Sequence, residues 1–396
     1  MKTRLQNFRK LIRRELSFLI NDVDILTIIL LSPLFYGLFY GTVYLNKVER
    51  EIPVIVVDQD NSTLSRQLIR SLDASPMLQV LETTTDLKHS REAIEKWQVQ
   101  GVVWIPEDFG PALKKGRQAH LKVYLNNSRF LPSNDINRAV QQTVAIFNGA
   151  IRLHYFEAKG LNKEQALSQI QPLNVDNRNL FNPRQSYGDF LIPGVLALIL
   201  QQTLLFGLAM SVAREFENRS FAELLNLAHG RFLPMALGKG FFYFVLYFAY
   251  SLLFFSLYLQ LLHLPFNGNY LSFQMLNFIF LLTITIWAVI IGSFFRSKLS
   301  ALQVLVFSSY PLFLLSGFSW PLQAMPWWLH GLSELLPSTP YFLAMQRMVT
   351  MGASLSDVLP EMMHLVILLL LGIGLGIWRF KALQKIPVTA QLSALP

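Results

Sequence analysis

The stretch Arg214–Lys239 reads REFENRSFAELLNLAHGRFLPMALGK and lies between two long apolar runs, Tyr187–Val212 and Gly240–Leu262. Each run is long enough to cross the apolar core of a bilayer, which takes about 20 residues of helix. Within the stretch, charged residues are interspersed with large apolar ones, a pattern typical of a connector helix that lies on a membrane surface. The alternative is a handle that another protein grips in order to move the two attached spans. Either interpretation predicts a helical membrane protein.

The composition leads to the same class of protein. Of the 396 residues, 52% are hydrophobic and only 15% are charged, whereas a soluble domain carries about 25% charged residues. There is no cysteine, which excludes disulfides, thiol chemistry and cysteine metal sites. The net charge of +9 does not indicate nucleic-acid binding, because the basic residues lie largely at the ends of apolar runs, where they set orientation.

Six apolar runs are long enough to be transmembrane helices, so the predicted fold is an α-helical membrane protein with six transmembrane helices and an inserted extracytoplasmic α/β domain. The runs are approximately Val23–Tyr44, Tyr187–Val212, Gly240–Leu262, Phe273–Phe295, Leu299–Phe318 and Leu359–Trp378. Basic residues follow the fourth and sixth runs, at Arg296–Lys298 and at Arg379, Lys381 and Lys385, whereas the connector 263–272 has neither Lys nor Arg. This asymmetry places both termini in the cytoplasm.

The chain is predicted to contain five parts. In chain order these are a cytoplasmic amphipathic interfacial helix at 1–22, the first transmembrane helix at 23–44, the extracytoplasmic domain at 45–186, a five-helix transmembrane region at 187–380 and a cytoplasmic tail at 381–396.

The N-terminal part has apolar residues at helical spacing, with basic residues mostly elsewhere on the helix. The apolar positions are Leu5, Phe8, Ile12, Leu16 and Leu19. A basic amphipathic helix of this kind lies in the headgroup layer of an anionic leaflet. The alternative is a charge cluster that only sets the topology.

The inserted domain alternates β-rich runs with candidate helices, which predicts an α/β fold. The predicted strands are Ile52–Val57, Met77–Leu81, Gly101–Ile105 and Leu121–Leu125. Asp58–Ser62 looks faintly like a calcium loop, but Thr63 and Ile69 stand where that loop needs Gly and Glu. A capped turn is the better interpretation, and we predict no metal site.

Residues 320–358 are apolar but are interrupted by many prolines and tryptophans. We predict a re-entrant hairpin in the outer leaflet, with an aromatic-anchored surface loop as the alternative. The residues that mark this hairpin are Trp320, Pro321, Pro326, Trp327 and Trp328.

Sequence motifs for catalysis are missing. There is no G-x-x-x-x-G-K-[ST] phosphate loop, H-E-x-x-H or G-x-S-x-G motif, so we predict that the chain is not an enzyme. The apolar runs contain almost no ionisable residue, which argues against a proton- or sodium-driven carrier. Neutral polar residues in the runs either line a translocation path or form hydrogen bonds between helices. These residues are Gln201, Gln202, Gln303, Ser308 and Ser309.

Several short motifs occur in an order that resembles the type-2 ABC transporter permeases, in the branch with a large extracytoplasmic domain after the first span. The motifs are Phe181-Asn182-Pro183, Ile192-Pro193-Gly194, Arg214-Glu215 with Glu217, Gly238-Lys239, and Ser316-Gly317-Phe318 followed by Pro321. The charged residue often found before the first span of that family is weakened here to Asn21-Asp22.

The resemblance implies a permease subunit of an ATP-driven exporter in the bacterial inner membrane, with a lipophilic or amphipathic substrate such as a drug, lipid or polymer. It implies two permease copies, or a paralogue pair, with two ATP-binding subunits that hold ATP-Mg, since this chain binds no cofactor itself. A periplasmic adaptor and membrane lipids are further expected partners, and nucleic acid is not.

The resemblance also implies that segment 213–239 couples the permease to the ATPase. The residues expected to contact the ATPase are Arg214, Glu215, Phe216, Glu217, Arg219, Phe221, Glu223 and Leu224. Their charges would make rim contacts, while Phe216, Phe221 and Leu224 would pack into its groove. Two rival functions remain: a membrane-anchored binding or assembly protein of an envelope complex, and a secondary transporter.

Overall fold

The computed structural model describes residues 2–44, 49–170, 178–183 and 185–384, with side chains from residue 6 onward. The predicted tail beyond residue 384, with Lys385, lies outside the described residues, as do parts of the predicted inserted domain. The chain divides into two compact units, residues 1–47 with 179–396 and residues 48–178.

The first unit contains helix α1 (Lys2–Ile20) and, among the described residues, six helices that are long and apolar enough to cross a membrane. These are span 1 (Val23–Val43), span 2 (Tyr187–Glu217), span 3 (Phe232–Leu261), span 4 (Tyr270–Gly292), span 5 (Lys298–Leu315) and span 6 (Leu359–Gln384). The predicted fold class is therefore confirmed.

Span 2 is the central helix of this unit. In the most apolar 18-residue stretch of span 2, 83% of the residues are buried inside the protein, compared with 11% in the corresponding stretch of span 5. Ser186 begins span 2 by accepting a hydrogen bond from the backbone N–H of Asp189 at 3.1 Å. About two turns later, a Cβ added to Gly194 would lie 2.2 Å from the ring of Phe318, so only glycine permits this approach. Span 2 thus lies among its neighbours, whereas span 5 is peripheral.

Spans 1 and 3 pack closely against each other, and each contains a π-helical turn, at Thr27–Leu31 and Phe254–Tyr258. A Cβ on Gly37 would lie 2.9 Å from the Tyr258 ring, and one on Gly41 would lie 2.9 Å from Leu262. The paired glycines therefore act as a small-residue contact surface between the two helices.

The second unit is built around a four-stranded sheet of order β2-β1-β3-β4. The strands are β1 (Ile52–Asp58), β2 (Leu78–Thr84), β3 (Gly101–Ile105) and β4 (Lys122–Leu125). Strand β1 pairs in parallel with β2 and β3, and β4 is antiparallel to β3. The helices are α2 (Thr63–Asp73), α3 (Leu87–Glu95), α4 (Phe109–Lys114), α5 (Phe130–Ala158) and α6 (Lys163–Ile170).

The two faces of this sheet are covered differently. Val54 and Val56 of β1 point to a core formed with α2 and α5, whereas Ile55 and Val57 point to a smaller core that includes Ala93 of α3. Because successive side chains of a strand point to opposite faces of the sheet, β1 alone supplies residues to both cores.

Residues 320–358 form two short helices that follow a 3₁₀ turn at Leu322–Ala324. The helices of this region are α8 (Trp327–Ser333) and α9 (Ser338–Val349), and segment 213–239 contributes α7 (Phe221–Leu227). Helix α9 is largely buried, whereas Trp327 of α8 is 86% exposed. The depth of this helix pair in a membrane stays a prediction.

Candidate functional site: a buried ion cluster beside segment 213–239

Helix α1 packs against the first turns of span 3. Leu11 and Leu19 are buried, and a Cβ built on Gly238 would lie 2.9 Å from the Cβ of Leu11. Phe8 makes an edge-on contact with Phe241 at 6.1 Å between ring centroids. The apolar stripe of α1 is therefore covered, at least in part, by protein.

Lys239 of span 3 lies at the centre of a buried ion cluster. Its Nζ is 2.6 Å from Oε2 of Glu15 in α1 and 2.9 Å from Oε1 of Glu215 in span 2. The side chains of Lys239, Glu15 and Glu215 are only 1%, 2% and 3% exposed. One ammonium group therefore bridges carboxylates from two other elements.

Arg14 balances the charge of this cluster. Its two terminal nitrogens donate to the two carboxylate oxygens of Glu215 at 2.7 and 2.8 Å, the bidentate geometry that arginine favours. Burial opposes the charge of Arg14, but the hydrogen bond and negative charge of Glu215 outweigh it and raise the pKa of Arg14. Arg14, Glu15, Glu215 and Lys239, which we call the Lys239 cluster, carry two positive and two negative charges.

Neutral donors satisfy the remaining carboxylate oxygens. The hydroxyls of Ser211 and Tyr243 both donate to Glu15, the latter at 3.2 Å, and Ser220 donates to Glu215 at 2.5 Å. Taking an ion out of water costs several kcal/mol, and such pairing and hydrogen bonding offset that penalty. The cluster thus joins α1, span 2 and span 3, and Arg14 also contacts the exposed Glu223 at 3.5 Å.

A second ion cluster lies at the start of span 5. Asp22 is buried and accepts contacts from Lys298 Nζ at 2.9 Å and Arg214 at 3.0 Å, while Lys298 also reaches Asp24 at 3.0 Å. The backbone N–H of Lys298 donates to Glu217 at 2.9 Å. We call Asp22, Asp24, Arg214 and Lys298 the Asp22 cluster. Asp22, which belongs to the Asn21-Asp22 pair before the first span, thus has two basic partners.

Three of the side chains predicted to contact the ATPase are buried within the chain itself. Phe221 and Leu224 are 5% and 2% exposed, and Glu215 belongs to the Lys239 cluster. The rings of Phe221 and Phe216 are stacked with their centroids 4.3 Å apart, and the centroid of Phe221 lies 5.6 Å from that of Phe380 in span 6. Because these groups are already enclosed by the chain, a partner protein has no access to them in this conformation.

The other predicted contact residues differ in accessibility. Arg214 is tied to the Asp22 cluster, and Phe216 is half-buried beneath Arg296, which lies 4.7 Å from its ring centroid. Glu217, Arg219 and Glu223 are exposed. The exposed residues between Glu217 and Asn226 are thus mostly polar, whereas Leu233 and Leu237 are exposed apolar side chains later in the segment.

The predicted path residues fall into two groups. Gln201 and Gln202 are buried in span 2, and neither amide atom of Gln202 has a hydrogen-bond partner among the described residues. On span 5, Gln303 is exposed, and the half-buried Ser308 and Ser309 donate to backbone carbonyls of their own helix at 3.0 and 2.7 Å. The structure places these groups on a buried and a peripheral helix.

The predicted hairpin residues mark the boundaries of its short helices. Pro321 precedes the 3₁₀ turn and Pro326 precedes α8, where a missing N–H is tolerated. Trp320, Trp327 and Trp328 are exposed.

Sequence reasoning missed Glu15 and undervalued Lys239. A signal was present, since Glu15 is the only acidic residue of α1 and shares the helical spacing of the buried Leu11 and Leu19. The helices also extend beyond the predicted apolar runs, so that the ionisable residues Glu215 and Lys239 lie inside spans 2 and 3.

Comparison with known proteins identifies the family. Residues 24–378 match the family model described as ABC-2 family transporter protein. The chain is 23% identical to the probable multidrug ABC transporter permease YbhS of Escherichia coli (strain K12), over 87% of this chain and 88% of that protein. It is 23% identical to YbhR of the same strain, also named a probable multidrug ABC transporter permease, over 90% and 94% of the two chains.

A more distant match is the linearmycin resistance permease protein LnrN of Bacillus subtilis (strain 168), which is 21% identical over 87% of this chain and 91% of that protein. The resemblance to type-2 ABC permeases is thereby confirmed. The chain belongs to the ABC-2 transporter family and is a multi-pass membrane permease subunit of an ABC transporter.

Proposed function

We propose that the chain is the permease of an ATP-driven exporter and that the ATP-binding subunit docks at the end of the helix bundle that carries the Lys239 and Asp22 clusters. The observation that supports this most directly is the set of buried ion pairs that join α1 to spans 2 and 3 and span 2 to span 5. A load applied to segment 213–239 would reach four elements through these pairs. ATP and Mg²⁺ would be bound by the partner subunit.

The docking surface we propose is polar. Glu217, Arg219 and Glu223 are exposed on segment 213–239, as are Asn218 and Asn226. Exposed charges at an interface rim steer a partner and set its orientation more than they supply affinity. The apolar side of α7 would instead carry the load into the bundle.

We propose a lipophilic or amphipathic substrate. Two relatives are named for multidrug transport and one for linearmycin resistance, which supports outward transport of compounds of that kind. The unpartnered amide of Gln202 would offer a hydrogen-bond donor and acceptor along the path.

A second permease copy, or a close paralogue, would complete the path. Span 5 is the least buried of the six spans among the described residues, and it exposes Gln303. Span 5 thus presents polar groups at the edge of the bundle, and a second copy that faces it would enclose them in a path. Two ATP-binding subunits would then serve the two permeases.

The proposed topology places both termini in the cytoplasm and residues 48–178 outside, where an adaptor could bind. The cysteine-free chain permits a direct measurement. Single cysteines at Ser128 and Asn226 would be exposed to a membrane-impermeant maleimide in intact cells. Labelling of the cysteine at position 128 alone supports this topology, and labelling of the cysteine at position 226 alone supports the inverted topology.

Transport itself is tested by reconstituting the chain with its ATP-binding subunit in liposomes and following a lipophilic dye such as ethidium. ATP-dependent movement is expected only when both subunits are present. Uphill movement by the permease alone, without nucleotide, would favour a secondary transporter instead. A chain that never co-purifies with an ATP-binding subunit would favour an assembly protein.

A further inference from the structure

We propose that Glu15 and Lys239 are positioning residues that hold α1 against spans 2 and 3, so that the three elements move as one rigid unit throughout transport. This inference rests on the proposed function. Neither residue is among the eight that were predicted to contact the ATPase, and neither is accessible from solvent.

The ion pairs of Lys239 oppose separation of α1 from the bundle. Lys239 lies between Glu15 and Glu215, at 2.6 and 2.9 Å from their oxygens. If α1 moved away, Glu15 would leave with it, while Lys239 would lose one of its two carboxylate partners. Separated ions in apolar surroundings are strongly unfavourable, whereas the intact cluster has no net charge. Separation of α1 from the bundle is therefore opposed at every step of the cycle.

Packing and charge hold α1 at neighbouring positions. Gly238 adjoins Lys239 in the chain and lets Leu11 approach, because a side chain at position 238 would meet Leu11 at 2.9 Å. One helical turn further along α1, Glu15 reaches Lys239, and Arg14 beside it holds both oxygens of Glu215. An apolar contact and a double ion pair thus act together on one face of α1.

A covalent lock tests whether α1 ever separates from span 3. The variant Leu11→Cys with Gly238→Cys contains the only two thiols of the chain. The Cβ of Leu11 and a Cβ built on Gly238 are 2.9 Å apart, and a disulfide needs roughly 3.5–4.5 Å, so a small shift allows the bond. ATP-dependent ethidium export by the complex is measured before and after oxidation, with each single-cysteine variant as a control.

The locked complex is expected to export ethidium at the rate of the reduced complex. If oxidation stops export and reduction restores it, α1 must separate from span 3 during the cycle, and the proposal is overturned.

A second experiment asks whether Glu15 and Lys239 supply the attachment. The double variant Glu15→Gln with Lys239→Met removes one charge of each sign and leaves the Arg14–Glu215 pair. We combine it with Leu11→Cys and Gly238→Cys and expect the disulfide to form more slowly than in the variant that retains Glu15 and Lys239. Before oxidation, we expect export to be about tenfold lower than in that variant, which is within the usual range of coupling free energies. The disulfide should restore export, and Lys239→Arg, which retains the positive charge, should export more than the reduced double variant.

Normal export by the reduced double variant, or no recovery after oxidation, would contradict the positioning role. Disulfide formation is measured without nucleotide or dye, so it reports on the attachment even if the wild-type complex transports nothing. Failure of the wild-type complex to export would therefore refute the proposed function without deciding this inference.

Discussion

Lys239 and Glu15 form a buried ion pair at 2.6 Å, although 224 residues separate them in the chain. The pair joins the N-terminal helix to the third span, and Glu215 adds the second span to the same contact. A charged group in this position has to be compensated by a group from a distant part of the sequence. The stability of the bundle therefore depends on this pairing.

Removal of the central ammonium should be strongly destabilising. Lys239→Met leaves two buried carboxylates with Arg14 as their only cation in the cluster, and breaking a buried pair costs roughly 3–5 kcal/mol. Thermal unfolding of the purified protein in detergent should show a clear loss of stability. Lys239→Arg is the matched control and should unfold near the wild-type temperature, while equal stability of Lys239→Met and wild type would contradict the account.

Truncation of the inward side of α7 should affect stability rather than partner binding directly. Phe221→Ala and Leu224→Ala each remove a buried side chain, which costs about 2–5 kcal/mol. Asn226→Ala, on the exposed side of the same helix, should leave stability unchanged. Unfolding midpoints and co-purification with the ATP-binding subunit are measured together, and lost binding at unchanged stability would restore the direct-contact interpretation.

Reversal of an exposed charge on segment 213–239 should weaken ATPase association without unfolding the permease. We expect Arg219→Glu to slow association, and more so at low salt, because exposed charges act mainly through electrostatic steering. Arg91→Glu in the second unit is a comparably exposed control and should have no such effect. Binding kinetics at two ionic strengths decide the matter, and identical kinetics for both variants would exclude Arg219 from the docking surface.

Two glycines of the spans should respond in opposite ways to substitution. Gly194→Ala forces a methyl group to within 2.2 Å of the Phe318 ring, and overpacking of this kind costs about 1–3 kcal/mol. Gly374→Ala meets nothing within 4 Å and should be neutral or slightly stabilising, because alanine favours helix more than glycine does. A thermal stability comparison of the two variants is sufficient, and equal effects would show that the span 2 contact with Phe318 is not close.

The sequence was informative where structure follows local periodicity. The length of the apolar runs predicts the six spans, and alternation of β-rich runs with capped helices predicts the sheet of the second unit. Gly37 and Gly41 have the spacing typical of a small-residue helix contact, and both contact residues at the end of span 3 or just beyond it.

The candidate site was less predictable because its partners are distant in the chain. The mixture of charged and apolar residues in segment 213–239 predicts an amphipathic helix. It does not show whether the apolar face of that helix packs on a partner protein or on span 6. The burial of Phe221 and Leu224 within the chain was not predicted for this reason. Glu15 was overlooked because a lone acid on a basic helix appears to belong to the solvated face until Lys239 is placed beside it.

The π-helical turn at Thr27–Leu31 makes span 1 sensitive to changes in length. A π-turn accommodates one more residue than a regular α-helical turn, and each residue of an α-helix advances the side chains by about 100°. Deletion of a single residue there would rotate everything downstream, so that Gly37 and Gly41 would no longer face the aromatic and aliphatic groups of span 3. The register of that helix pair is thus fixed by one inserted amino acid, and a shortened span 1 could still cross the bilayer while presenting the wrong side to its neighbour.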